Sequence, residues 1–256
     1  MQDSLAAMSR TVVAEAIVLA VRDTTHADRS VILFSREQGK IRALAHGARM
    51  SKSRLGGCLQ PFSAVCVSLT EAIHQPPVIT QCEVRQSFRE IRENIERFSY
   101  GSLLAELTNE LWLEGDRAPE VYKTLQGAFS NLTNRNPRLT ALACGWKLLD
   151  LAGLGPQYDT CLTCGSEVSS EAGFSPHQGG ALCSLCKDDS LPSFSPATAN
   201  LLSTLLNLDW KAPGEFRVNE KTLCLLENLF QSYVTCHLAK ELKSFAFIRQ
   251  MTSCPS

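Results

Sequence analysis

The amino-acid sequence predicts an α+β protein. Three observations lead there: five short apolar runs separated by turn residues in the first ninety positions, a change to helical spacing after residue 86, and two C-x2-C pairs set within the helical part.

The first run, Val12 to Val21, is rich in Val, Ile and Ala, and Asp23 to Asp28 breaks it. Ser30 to Ser35 is the second, closed by Glu37-Gln38-Gly39-Lys40. Ile41 to Ala45 is the third, and Val65 to Leu69 and Pro77 to Glu83 supply two more. Five short strands with turn signals between them predict a small closed β-barrel of the OB-fold type over residues 1–83.

The rest, 84–256, is expected to be a helical domain. Phe88, Ile91, Ile95 and Phe98, then Leu103, Leu104, Leu107 and Leu111, recur at helical spacing up to Gly115. Pro119 opens a second helix, with Val121, Tyr122, Leu125, Phe129 and Leu132 inward. Leu139 to Ala152 is a third, capped by Gly153. Helices resume at Ser195-Pro196 and again from Asn219 to about Ser244.

Between the third helix and Ser195 stand Cys161, Cys164, Cys183 and Cys186, two C-x2-C pairs separated by eighteen residues. A C-x2-C turn places two thiolates at two corners of a tetrahedron, and two such turns complete a four-cysteine site for one structural Zn2+. Phe174-Ser175 and Ala181-Leu182 read as short strands around a turn at Pro176 to Gly180, the pattern of a zinc ribbon inserted at about 157–192. Two disulfides, two redox dithiols or plain buried thiols are the competing readings. The opening Met1 to Arg10 has no apolar signal core, so a reducing, cytoplasmic compartment is expected, and neither pair sits in a β-α-β setting. Four thiolates leave no open position for a catalytic water. The remaining seven cysteines, Cys58, Cys66, Cys82, Cys144, Cys224, Cys236 and Cys254, lack ligand spacing and read mostly as buried thiols.

No apolar run approaches the ~20 residues of a membrane span. A P-loop, a Rossmann glycine fingerprint, a G-x-S-x-G elbow and an H-E-x-x-H pair are all missing, so an enzyme is not expected. His237 reads as a structural histidine on a helix, His177 lies in the ribbon turn, and His46 adjoins a basic stretch. That stretch carries the second strong signal. The chain's net charge is −1, yet Arg36, Lys40, Arg42, Arg49, Lys52 and Arg54 fall within nineteen residues with one acid, Glu37. Gly47 to Gly57 reads as an open, mobile loop between two strands, suited to phosphate oxygens. The alternative is a solvated surface loop. Phe34 and Phe62 are the only aromatics in the first eighty residues, so binding is expected to be electrostatic rather than base-stacking.

These residues, in this order, resemble the bacterial RecO family of recombination mediators. The resemblance runs from Ala16-Ile17-Val18-Leu19 and His26-Ala27-Asp28-Arg29-Ser30-Val31 through Gly39-Lys40-Ile41, Gly47-Ala48-Arg49, Ser51-Lys52-Ser53-Arg54 and Leu59-Gln60-Pro61-Phe62. It continues with Leu148 to Pro156, Cys161-x2-Cys164-Gly165, Phe174-Ser175-Pro176, His237-Leu238 and Leu242-Lys243-Ser244. The resemblance implies binding of single- and double-stranded DNA, annealing of complementary strands, and work with RecR to load RecA onto DNA coated by single-strand-binding protein (SSB). It also implies a pocket for the acidic SSB tail, for which Lys240, Lys243 and Arg249 are candidates. The rival classes are a zinc-containing nucleic-acid-processing enzyme and a structural scaffold whose basic loop is incidental.

Overall fold

The computed structural model describes residues 10–24, 27–169, 171–212, 214 and 218–251. The opening segment up to Ser9, His26 and Cys254 lie outside them.

Five strands, β1 (Arg10–Asp23), β2 (Arg29–Ser35), β3 (Gly39–Ala45), β4 (Ala64–Ala72) and β5 (Gln75–Gln86), close into a barrel in the order β1-β2-β3-β5-β4. A short helix, α1 (Arg54–Cys58), links β3 to β4. The closing contact, between β3 and β5 at Leu44 and Val78, is the one parallel strand pairing of the barrel among the described residues. β1 is long enough to serve two neighbours: Arg10 to Ile17 pair with β4, and Ala16 to Asp23 with β2.

Both faces of β1 and β2 are buried. Ala16, Val18, Val31 and Leu33 point into the barrel with Val65, Val67 and Leu69. The alternate residues, Ile17, Leu19, Ile32 and Phe34, join Phe62 and Ala64 in the core of the helical part. This explains why Ala16 to Ala20 and Val31 to Phe34 are unbroken apolar runs: a strand with one wet face would alternate.

The helices are α2 (Arg89–Arg92), α3 (Ile95–Leu111), α4 (Pro119–Leu132), α5 (Pro137–Leu151), α6 (Pro196–Leu206), α7 (Glu220–Leu238) and α8 (Lys243–Met251). Asn94, Asn136, Ser195 and Asn219 cap α3, α5, α6 and α7 by accepting a backbone N–H three residues on. Proline occupies the first turn of α4, α5 and α6. Between α5 and α6 runs a small hairpin, β6 (Gly173–Ser175) with β7 (Gly180–Leu182). Arg138 on α5 grips both carboxylate oxygens of Glu227 on α7, at 3.0 and 2.6 Å, and also reaches Glu220 at 2.6 Å. Tyr100 on α3 donates to the same Glu227 at 3.1 Å. None of the described helices is long and apolar enough to cross a membrane.

Two helical stretches differ from expectation. The single segment from Phe88 to Leu111 is broken at Asn94, whose extended backbone (φ −121°) ends the run of α2 and caps α3 afresh. Ile95 consequently falls outside the buried face and is exposed. The last helix does not run on to Ser244: Ala239, at φ 51°, ends α7, and α8 begins after a turn.

Barrel and helices meet along aromatic contacts. Phe34 meets Trp112 edge-on at 5.9 Å, and Phe62 packs between Phe98 and Phe129, each at 5.5 Å. Next to them the backbones touch. Gly115 N–H donates to Lys40 O at 2.9 Å, and a Cβ on Gly39 would lie 1.7 Å from Asp116 O. Gly39 also sits at φ +71°, so only glycine suits this approach.

Gly39→Ala is therefore expected to destabilise the protein by at least about 2 kcal/mol, from left-handed strain plus overlap with the α3–α4 link. Gly57→Ala is the control, since its Cβ would meet nothing within 4 Å and it lies in α1. It should be neutral or stabilise by up to about 1 kcal/mol. Urea midpoints measure both, and equal midpoints for the two variants would contradict the close approach at Gly39.

Candidate nucleic-acid interface and metal centre

The basic β3–β4 connection is more ordered than an open loop. Asp28, in the β1–β2 turn, accepts from Gly47 N–H at 2.8 Å and pairs with His46 Nδ1 at 2.7 Å. Arg49 N–H donates to Ala27 O at 2.9 Å. Turns follow at Met50 and Ser53, and the Ser53 hydroxyl caps α1 by accepting Gly56 N–H. Gly56 is needed there because a Cβ would lie 2.2 Å from Ala48 O. The segment is thus folded onto the β1–β2 turn, held mainly by one aspartate.

The cations of the linear stripe separate into two groups. At the C-terminal end of β3, Arg49 pairs with Asp23 at 3.3 Å, while Lys52 and Arg54 make no ion pair among the described residues. Arg29, overlooked in the sequence because Asp28 precedes it and Asp23 lies nearby, belongs to this group and shares Asp23 at 3.1 Å. At the other end, Arg36 pairs with Glu15 at 3.4 Å and Arg42 with Glu114 at 2.8 Å. Lys40 is turned inward: it is 8% exposed, and its Nζ donates to Asn109 O at 2.7 Å. Burial pushes its pKa below the usual lysine value, with Glu114 and Glu110 opposing that shift. The length of β3 separates the groups by about 15–20 Å at ~3.3 Å per residue.

The second candidate centre lies beside the β6–β7 hairpin. The four sulfurs of Cys161, Cys164, Cys183 and Cys186 all lie within 4.8 Å of one another, so they could hold a metal ion. Tight turns bring each pair together: Gly165 N–H returns to Cys161 O, and Cys186 and Lys187 N–H to Cys183 O. Gly165 takes φ +73°. Cys164 Sγ stands 3.6 Å from Cys183 Sγ and 3.2 Å from Ser166 Oγ. Burial opposes ionisation of Cys161, but backbone N–H groups of Cys183, Cys164 and Thr163 outweigh it together and hold its pKa down to about 6. Hydrogen bonds with Cys183 and Cys164 push the Cys186 thiol up to about 12.

Other candidates take structural places. His237 stacks on Tyr233 at 4.1 Å, its Nδ1 3.0 Å from Tyr233 O. Lys240 pairs with Glu110, Arg249 with Glu241, and Lys243 N–H donates to Glu106. Of the remaining cysteines, Cys144 is buried, but Cys58, Cys66 and Cys82 are half-buried, Cys236 is exposed and Cys224 is disulfide-bonded, against the expectation of mostly free buried thiols. Cys58, Cys66 and Cys82 come from three separate elements, so no spacing rule links them in the sequence.

Fold and centres together define a two-part protein: a closed five-stranded barrel with a cationic loop, backed by helices that carry a cysteine tetrad. Comparison with known proteins gives the same division. The family model for the N-terminal part of recombination protein O matches residues 8–88, and the model for its C-terminal part matches 92–246. The chain is 32% identical over 245 residues to the DNA repair protein RecO of Pelotomaculum thermopropionicum, covering 95% of each. It is 32% identical over 241 residues to that of Desulforudis audaxviator, covering 93% of this chain and 96% of the relative. For the RecO of Myxococcus xanthus the identity is 31% over 242 residues, with coverage of 93% and 96%. The chain belongs to the RecO family.

Proposed function

We propose that this chain is a non-enzymatic DNA-binding mediator of recombinational repair. The observation that carries the reading is the cluster of Arg29, Arg49, Lys52 and Arg54 at one end of a barrel whose β1–β2 outer face is covered by helices. The strand order β1-β2-β3-β5-β4 supports an OB-fold at 1–83, with 84–256 as the helical domain. Oligonucleotides are commonly read across strands 2 and 3 of such barrels, but here Ile32 and Phe34 are packed against α3 and α4. DNA is left with loops and cations, which grip phosphates and ignore base identity. The arginines are held by exposed carboxylates, and such pairs contribute only about 0–1 kcal/mol, so a phosphate can replace them.

Low base preference suits annealing, where the repulsion between two backbones must be screened. The wider role follows the family: acting with RecR to help load RecA onto SSB-coated single-stranded DNA in the bacterial cytoplasm, and contacting the SSB tail. The helical surface offers room for these partners away from the cationic loop.

The tetrad suits one structural zinc, held by Cys161, Cys164, Cys183 and Cys186 in a ribbon at about 157–192. Tetrahedral zinc with sulfurs at ~2.3 Å sets them about 3.8 Å apart. The 3.6 Å between Cys164 and Cys183 is close to that. The zinc would tie the two turns together, and with four thiolates it would have no site for water, which disfavours a zinc enzyme.

Replacing Arg49, Lys52 and Arg54 together by Ala should weaken DNA binding for every sequence tested. The salt slope of log K should fall by about 2 for single strands and nearly 3 for duplex. Fluorescence anisotropy across a salt series checks this, and an unchanged slope would make the loop a solvated surface. For the metal, purified protein should carry one zinc per chain. Cys164→Ser should lose it and unfold the module, because binding and local folding are coupled. Metal analysis finding no zinc in the wild type would refute the assignment.

A further inference from the structure

The second cationic group, at the junction of barrel and helices, is not used by the loop described above. Two of its members, Lys40 and Arg42, line a groove of about 390 Å³ between β1, β3 and the α3–α4 link, while Arg36 lies outside it. Arg10, Lys40, Arg42 and Arg117 face it, against Glu71 and Glu114. Glu114 is already paired with Arg42 at 2.8 Å. Arg10 and Arg117 are exposed and make no ion pair with any described residue. Lys40 contributes to the groove wall, but its ammonium is turned inward, to the backbone carbonyl of Asn109. Glu114 and Glu110 already face its charge, so the cations left for a ligand are Arg10 and Arg117. No aromatic residue lines the groove. It therefore lacks the anchors that a peptide ligand would use, and retains the cations that a phosphate chain would use.

We infer that this junction groove binds the phosphate backbone of a second DNA strand, so that one chain holds two strands at once. The inference rests on the DNA-binding function proposed above and extends it. Two cation groups, about 15–20 Å apart along β3, give each strand its own contacts. Pairing two strands requires that both backbones be held and screened together, and a single cationic loop screens only the one it binds.

The test counts strands. Full-length wild type and the double variant Arg10→Ala, Arg117→Ala are mixed with two non-complementary oligonucleotides carrying different labels, and native mass spectrometry reports strands per chain. Wild type should hold two. The double variant should hold one, with first-strand affinity within about twofold, while the second-strand salt slope drops by about 1.4. Annealing of complementary strands should slow by about tenfold, the scale set by losing two phosphate contacts. Equal second-strand capture by wild type and variant would overturn the groove assignment and leave the loop reading standing. Wild type that holds no strand would overturn both. An oligo-aspartate peptide should compete with both strands, because the contacts are electrostatic. A groove that took that peptide while failing to take a second strand would be a protein-docking site, which contradicts the inference.

Discussion

The packing of helices on the outside of β1 and β2 governs the rest of this structure. A five-stranded barrel normally keeps its outer surface wet. Here Ile17, Leu19, Ile32 and Phe34 leave water on that side, and Phe62 and Trp112 bridge to α3 and α4. Each large side chain buried this way contributes about 1.5–3 kcal/mol. The same packing demands glycine at position 39, directs Lys40 toward Asn109 O, and closes the strand face that would otherwise be the natural place to stack bases. What remains exposed on the barrel is its loop end, the groove at the seam and the outer side of β5.

The charge arrangement follows from that restriction. The chain is close to neutral, so long-range attraction to DNA is weak and local cations must act at contact range. Most barrel arginines are parked on carboxylates: Arg29 and Arg49 on Asp23, Arg36 on Glu15, Arg42 on Glu114. Exposed pairs of this kind are nearly neutral in stability, which keeps the cations in place yet available for exchange. Asp28 serves differently. Its bonds to Gly47 and His46 fold the basic connection against the β1–β2 turn, so Lys52 and Arg54 project from an ordered platform.

Much of this was legible in the sequence. The strands, the proline starts of α4 and α6, the Ser195 cap and the two cysteine turns announce themselves through local chemistry, whereas the Asn94 and Asn136 caps are hidden by apolar spacing that runs past the one and starts beyond the other. The unbroken apolar runs in β1 and β2 read only as strands, and their burial on both faces emerges once the covering helices are in place. Other features depended on distant contacts. Lys40 reads as one more basic residue until α3 supplies Asn109 O to meet it. Arg29 reads as neutralised by its acidic neighbours until β1, β2 and the basic connection converge on Asp23. Phe88 ahead of α2 and Ala239 at the end of α7 put non-glycine residues in left-handed backbone, which no propensity would favour.

The central claim is that DNA meets the cationic loop end of the barrel and not its β2 face or the outer helices. Hydrogen–deuterium exchange on the full chain, with and without a short oligo-dT strand, addresses it most directly. Protection should rise across Gly47 to Cys58 and in the adjoining turn at Arg29, with α5, α7 and α8 unchanged. Protection confined to the helices, with the 47–58 segment exchanging as in the free protein, would contradict the account.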